Sequence, residues 1–555
     1  MPPMPLEAAL IPIVCIGLLL WKAFTRRPAR ARAVARTAFV LLALASFALA
    51  YGGALREAVT KPYGKTDAWG VFHYYLGAKY FSELDYTSFY ACVLAADLDG
   101  ARVWDARAKV RDLSTYAIVG RDDIAPCPRD RFSPPRWSAF VKDVTALQSI
   151  LPESERAAVL TDKGFNPPPS WSVLAGWVAN HVPLDHARAA KAMFNVDLAF
   201  TLIALIALAV AVDIETASVA AIFVFLYFGS VGRLTGNFLQ YAWFPALTGA
   251  VLAWRSDRYR QSAFWWALAT LAQTFPLALT SAIGLRYLWL WKDRTRGHAV
   301  GHYRKFIAHY ATWLVAGIAV GCLSGRGPRA WWEWVQKITV HGAYLVGEVF
   351  DIGLRNLIAT AASSGTNSAH SYLEDYPNVM GRLAAFKSYE WIWYLVAIGA
   401  LVGVLARMKH VTHRGVLGLG FVMMYVLLDL APYYYASLAV LFAVFPLNEG
   451  RKGLVVHGGL LLLNAYHAVR MSTGYVTFDW SEHLVSEIMI AGLMLALLVM
   501  ATRGRSVEGS GMPDGVAKEA RTQSSAERRP GRQRTGRRAR RGTGPDRRRT
   551  GAGGP

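Results

Sequence analysis

Thr37-Ala38-Phe39-Val40-Leu41-Leu42-Ala43-Leu44-Ala45-Ser46-Phe47-Ala48-Leu49-Ala50-Tyr51-Gly52-Gly53-Ala54-Leu55 is a run of 19 residues without a charge. Just before it stand Lys22, Arg26, Arg27, Arg30, Arg32 and Arg36, with no acid among them. A helix needs about 20 apolar residues to cross the ~30 Å hydrocarbon core, and basic loops are held on the cytoplasmic side. The pair therefore reads as a membrane span that leaves the cytoplasm at residue 37. Comparable runs occupy 5–22, 187–212, 217–233, 237–254, 306–323, 389–407, 453–470 and 483–501. Two longer runs, 261–291 and 415–447, carry Pro276 and Pro432 near their middles. Proline removes a backbone donor and breaks a helix, so each reads as two short helices. The expectation is an all-α polytopic membrane protein of about thirteen spans.

Composition agrees. Of 555 residues, 54% are hydrophobic and 18% charged, against roughly a quarter charged in soluble proteins. This excludes a large soluble enzyme, a disordered scaffold and a disulfide-rich secreted module. The net charge of +22 is concentrated: from Arg503 onward there are 15 Lys and Arg against 5 Asp and Glu. That tail has almost no aliphatic residues and reads as disordered, with anionic lipid rather than specific nucleic acid as the partner for its Arg clusters. If 167–182, with its Pro167-Pro168-Pro169, is re-entrant or interfacial, the basic stretches 255–260, 292–305, 407–414, 451–452 and the tail all fall in the cytoplasm. The N-terminus is then external. It lacks a basic region ahead of its apolar run, so the first helix reads as an anchor rather than a cleaved signal. The organisation is an anchor helix and basic loop (1–36), a membrane domain (37–502) with external loops 56–186 and 324–388, and the tail (503–555). Cys92 and Cys127 share the first external loop, where a bridge or two thiols are both open.

That first loop opens Thr66-Asp67-Ala68-Trp69-Gly70-Val71-Phe72-His73-Tyr74-Tyr75. An acid just outside a span is placed where a carboxylate meets a lipid-borne substrate, and the aromatic stretch after it reads as lying along the membrane surface. Further on come Phe165-Asn166-Pro167-Pro168, Gly236-Asn237-Phe238-Leu239-Gln240, Gln273-Thr274-Phe275-Pro276, Arg355-Asn356 and Pro432-Tyr433-Tyr434-Tyr435.

In this order these short motifs resemble landmarks of the GT-C glycosyltransferases, most of all glycosyltransferase family 87, the polyprenyl-phosphate-mannose-dependent mannosyltransferases. The resemblance spans roughly 37–450. It departs from the family in three places. Asp67 lies seven residues before Tyr74, about one helical turn farther than usual; Tyr434 stands where the family has His; and about 75 residues (91–165) are inserted in the first loop. The resemblance implies a GT-C-like bundle in a bacterial plasma membrane that transfers a sugar, mannose by the likeness, from a polyprenyl-phosphate donor to a glycolipid or glycan acceptor, with inversion. The activated donor needs no nucleotide-binding loop, and with no DxD or other acidic pair at the first-loop position neither a cofactor nor a tightly held metal is expected. It needs a base for the acceptor hydroxyl and donors or cations for the leaving phosphate.

Asp67 is the candidate base, with Glu83 and Asp85 as alternatives. Arg233, Gln240, Gln273, His341, Arg355 and Arg470 are candidates for the phosphate or substrate, and His73, Tyr74 and Tyr75 form the aromatic loop. Each has a structural alternative: Asp67 as a helix cap, Arg233 snorkelling, Gln273 satisfying backbone freed at Pro276, Arg355 pairing with Asp351. A transporter or flippase, or a non-catalytic membrane component, are the competing functions. The absence of an internal repeat weighs against the transporter.

Overall fold

The computed structural model describes residues 6–24, 29–61, 64, 66–105, 107–292, 297–348, 351–363, 372–447, 450–472 and 480–502. The basic tail lies outside them. The described chain is all-helical apart from one antiparallel hairpin, β1 (Lys109–Arg111) with β2 (Ile118–Gly120), in register Val110 to Val119.

Five described stretches are long and apolar enough to cross a membrane: Glu7–Phe24, Arg30–Thr60, Ala187–Ala211, Leu373–His410 and Trp480–Thr502. Their outer faces carry bare aliphatic side chains, among them Leu44, Ile206, Val210, Leu395 and Leu495. An apolar surface of this extent is stable against lipid rather than water. Shorter apolar helices, Ile214–Leu226 and Gly415–Leu427, are enclosed by the others.

The expected spans 217–233 and 237–254 are corrected. The helices end at Leu226 and resume at Trp243, and the residues between are irregular yet buried. Irregular backbone at such depth is tolerated where protein encloses it. Here Asp197 accepts from the amides of both Gln240 and Tyr241 at 2.9 Å, and Gly232 and Gly236 adopt positive φ. The proline-bearing runs do break, into Tyr259–Ala272 with Pro276–Lys292, and into Gly415–Leu427 with the 3-10 segment Pro432–Val440. Ile352 and Leu430 exchange backbone hydrogen bonds, and so fix the second break. The expected loop 324–388 also shortens, because one helix runs unbroken from Tyr372 to Arg407. At 1.5 Å per residue it is about 54 Å long, more than a bilayer core requires.

The segment between the second and third long helices folds around its own core. Phe72, Tyr75, Tyr80, Phe89, Tyr90, Trp137, Phe140 and Phe165 are buried within it. The insertion 91–165 supplies the hairpin, most of the helix Phe89–Asp99, and the helices Pro134–Ile150 and Glu153–Val159. Cys92 and Cys127 are bridged. The aromatic stretch does not lie along a surface, because most of Ala68–Lys79 is buried under this cap. Helix Pro169–His181 exposes Leu174 and Trp177. At 13 residues it is about 20 Å long, too short to span, which fits the interfacial reading.

Candidate functional site

Asp67 is the N-cap of the helix Ala68–Lys79, and its carboxylate accepts from the Gly70 amide at 3.2 Å. The structural alternative for Asp67 is therefore real, but capping engages only one of its oxygens. The other receives Asn237 Nδ2 at 3.5 Å. The backbone of Asp67 is pinned as well, its amide donating to the Gly236 carbonyl at 2.8 Å. Asp67, Gly70 and Tyr74 fall on one helix face, since seven residues make about two turns. The long spacing from Asp67 to Tyr74 thus keeps both side chains toward the 236–240 segment. The approach is close: a Cβ on Gly70 would lie 2.5 Å from Asn237 Oδ1.

From Asp67 a string of polar side chains runs across the bundle. Asn237 Nδ2 also donates to Gln240 Oε1, and Gln240 Nε2 donates to the Tyr74 hydroxyl at 3.4 Å. Tyr433 and Tyr434 lie with ring centres 4.3 Å apart, close enough to Tyr74 to interact with it electrostatically. Tyr434 then donates to Gln273 Oε1 at 3.0 Å. The Arg233 guanidinium lies 5.3 Å from the centre of the Tyr433 ring. Gly229 lets this happen, because a Cβ there would sit 2.6 Å from the backbone of Pro432, which leads into the tyrosines. Asp67, Tyr74, Arg233, Gln240 and Gln273 are thus brought into one neighbourhood, from the first loop, the buried irregular segment and both proline breaks.

The other candidates are engaged elsewhere. His73 and Tyr75 project from different faces of the Asp67 helix. His73 donates from Nδ1 to the Trp69 carbonyl at 2.9 Å and accepts at Nε2 from Tyr90 at 2.7 Å. Burial lowers its pKa despite the nearby Asp162. Tyr75 donates to the Ala179 carbonyl at 3.2 Å. Arg355 pairs with Asp429 at 2.7 Å, not with Asp351 as its helical spacing suggests; Asp351 lies beside Lys163 and Glu348 instead. Arg470 pairs with Glu482. Of the alternative bases, Glu83 is held by Arg136 at 2.7 Å and Asp85 by Arg131 at 2.7 Å. Burial alone would raise the Asp85 carboxyl. The Thr87 and Ser88 amides and the Arg131 guanidinium together hold it below the usual range.

His341 hydrogen-bonds the Tyr116 hydroxyl at 2.9 Å. Burial, with the positive charges of Lys163, Lys337 and Arg111, pushes its pKa well below 6.5. The folded protein therefore keeps His341 neutral where the unfolded chain, titrating near 6.5, takes up a proton. Stability from this group is complete above about pH 6.5 and falls as pH drops, approaching about 1.4 kcal/mol per unit. Wild type should lose stability against His341→Asn at that rate below about pH 6, read from the difference between their melting profiles. Parallel profiles would contradict the assignment.

Three participants were not singled out from sequence. Asn237 and Tyr433 lie inside quoted motifs, beside residues that were chosen. Asp197 could have been noticed as an acid inside an apolar run, where a charge is costly unless satisfied. Compared with known proteins, the chain matches no family model, no curated protein and no solved structure.

Proposed function

We propose that this chain is an integral-membrane glycosyltransferase of the GT-C class, resembling family 87. It transfers a sugar, mannose by that likeness, from a polyprenyl-phosphate donor to a hydroxyl of a glycolipid or glycan. The placement of the basic stretches in the sequence, which reads as an external N-terminus and a cytoplasmic C-terminus, supports a reaction on the outer face of a bacterial plasma membrane. Asp67 accepts the proton of the acceptor hydroxyl as its oxygen bonds to the anomeric carbon and the bond to the phosphate oxygen breaks. A single displacement of this kind inverts the anomeric configuration.

The observation that carries the reading is the polar string from Asp67 to Gln273. It begins at a half-buried carboxylate and runs through Asn237 and Gln240 to Tyr74, beside which Tyr433, Tyr434 and Gln273 carry the polar groups on into the apolar bundle. Polar residues at such depth are expensive and mark sites. The test is transfer of labelled sugar from a polyprenyl-phosphate donor into membrane lipid by wild type and Asp67→Asn. No transfer by wild type, with several donors and acceptors tried, would favour the transporter or the non-catalytic component.

Gly70→Ala probes the same geometry without touching a polar group. The added methyl displaces the Asn237 amide and uncouples it from Asp67. Overpacking of this kind costs about 1–3 kcal/mol, and better helix propensity offsets up to about 1 kcal/mol. Transfer should fall while the protein stays folded, measured by initial rate beside the melting temperature. An unchanged rate would mean that Asn237 does not serve Asp67.

A further inference from the structure

Two buried N–H donors beside the tyrosines have no acceptor: Gln273 Nε2 and Trp243 Nε1. Gln273 is 6% exposed and Trp243 is 0% exposed. Both border Tyr434. The acceptor end of Gln273 is occupied by the Tyr434 hydroxyl. The Trp243 and Tyr434 rings lie 6.4 Å apart, with Phe275 packed against the first at 4.9 Å and the second at 5.2 Å. Tyr433, whose ring centre is 4.3 Å from that of Tyr434, carries the Arg233 guanidinium over its face.

A buried polar group without a partner is destabilising, and native proteins rarely leave one without a reason. The polarity here is one-sided. Indole N–H and guanidinium can only donate, and the carboxamide of Gln273 has only its N–H end left. A neutral sugar hydroxyl can accept from one of these donors but brings no negative charge to the guanidinium. A group that only accepts, carries negative charge and offers several oxygens satisfies the two unpartnered donors and matches the charge of the guanidinium.

We propose that Gln273, Trp243 and Arg233 form a binding site for a phosphoryl group. This deepens the transferase reading, on which the choice of a lipid-borne phosphate rests. Gln273 and Trp243 hydrogen-bond its oxygens, and Arg233 neutralises its charge. Trp243 is the new participant, and no sequence motif marks it.

The full-length protein in detergent micelles should be titrated with polyprenyl monophosphate, with the neutral polyprenol and with inorganic phosphate. Trp243→Phe keeps a ring and removes the N–H; Gln273→Met keeps the length and removes the donor. Each should weaken binding of polyprenyl monophosphate at least about tenfold, the loss of a hydrogen bond to a charged group, and leave polyprenol binding unchanged. Without ligand Trp243→Phe should melt no lower than wild type, because an unsatisfied donor has been removed, whereas Gln273→Met also removes the acceptor of the Tyr434 hydroxyl and should melt lower. Saturation by inorganic phosphate with the same dependence on both residues would support the site with free phosphate as its source. Equal binding of polyprenyl monophosphate by wild type and both variants would overturn it, as would polyprenol binding as tightly as its phosphate. Phosphate binding that depends on these residues, in a protein that transfers no sugar, would remove the transferase reading and leave the site standing.

Discussion

Asp67→Asn is expected to lower sugar transfer by about two to four orders of magnitude, the usual contribution of a positioned general base, while the protein stays folded. The second half of that expectation makes the experiment informative. Asp67 caps the helix Ala68–Lys79 through the Gly70 amide, and asparagine is as good an N-cap as aspartate. Its carboxamide oxygen can still accept from that amide, and the contact with Asn237, long at 3.5 Å, is the weaker of the two. What the substitution removes is proton affinity. A loss of rate with an unchanged melting temperature assigns the base, whereas loss of both would report a cap. An unchanged rate would sink the assignment of Asp67. It would also weaken the reading as a whole, because Glu83 and Asp85 are committed to Arg136 and Arg131.

Reduction of the Cys92–Cys127 bridge, or Cys127→Ser, should destabilise the cap between the second and third long helices by about 4 kcal/mol. That is the chain-entropy estimate for a loop of this size, the two cysteines being 35 residues apart. The bridge ties the helix Phe89–Asp99 to the chain just before the helix Pro134–Ile150. Arg131 and Arg136, which hold Asp85 and Glu83, follow immediately. Reduction should therefore open the cap to proteolysis, read as cleavage within 91–165 with and without a thiol reductant. Cleavage at the same rate in both conditions would mean that the aromatic core alone holds this region. The bridge also bears on topology, since disulfides persist in an oxidising compartment and not in the cytosol.

Much of the architecture was legible from local pattern. Long uncharged runs become long helices, because a helix satisfies its own backbone wherever it lies; Ala29–Thr60 and Trp480–Thr502 follow directly from their sequences. Pro276 begins a helix, and Pro432 begins the 3-10 segment after the second break. The capping of a helix by Asp67 was readable too, because an acid before a helix-forming stretch has one local use. The irregular stretch 227–242 was not. Its composition is as apolar as a span, and distant partners make the alternative to helix stable: the Asp197 carboxylate reaches Gln240 and Tyr241 from more than 40 positions away, and Asp67 and Phe194 bond the backbone of Gly236.

The candidate site divides on the same line. Local pattern identifies the polar residues that sit in or beside apolar runs, and hence that Asp67, Arg233, Gln240 and Gln273 need an explanation. Which of them meet is set by long-range packing. Asp67 contacts Asn237 across 170 positions and Tyr434 contacts Gln273 across 161, whereas Arg355 is claimed by Asp429 and Arg470 by Glu482. The physical reason is the range of the signals. Periodicity and capping act over one or two helical turns and are written in adjacent residues. The pairing of a buried side chain depends on which distant segment packs against it, and that is settled when the chain closes.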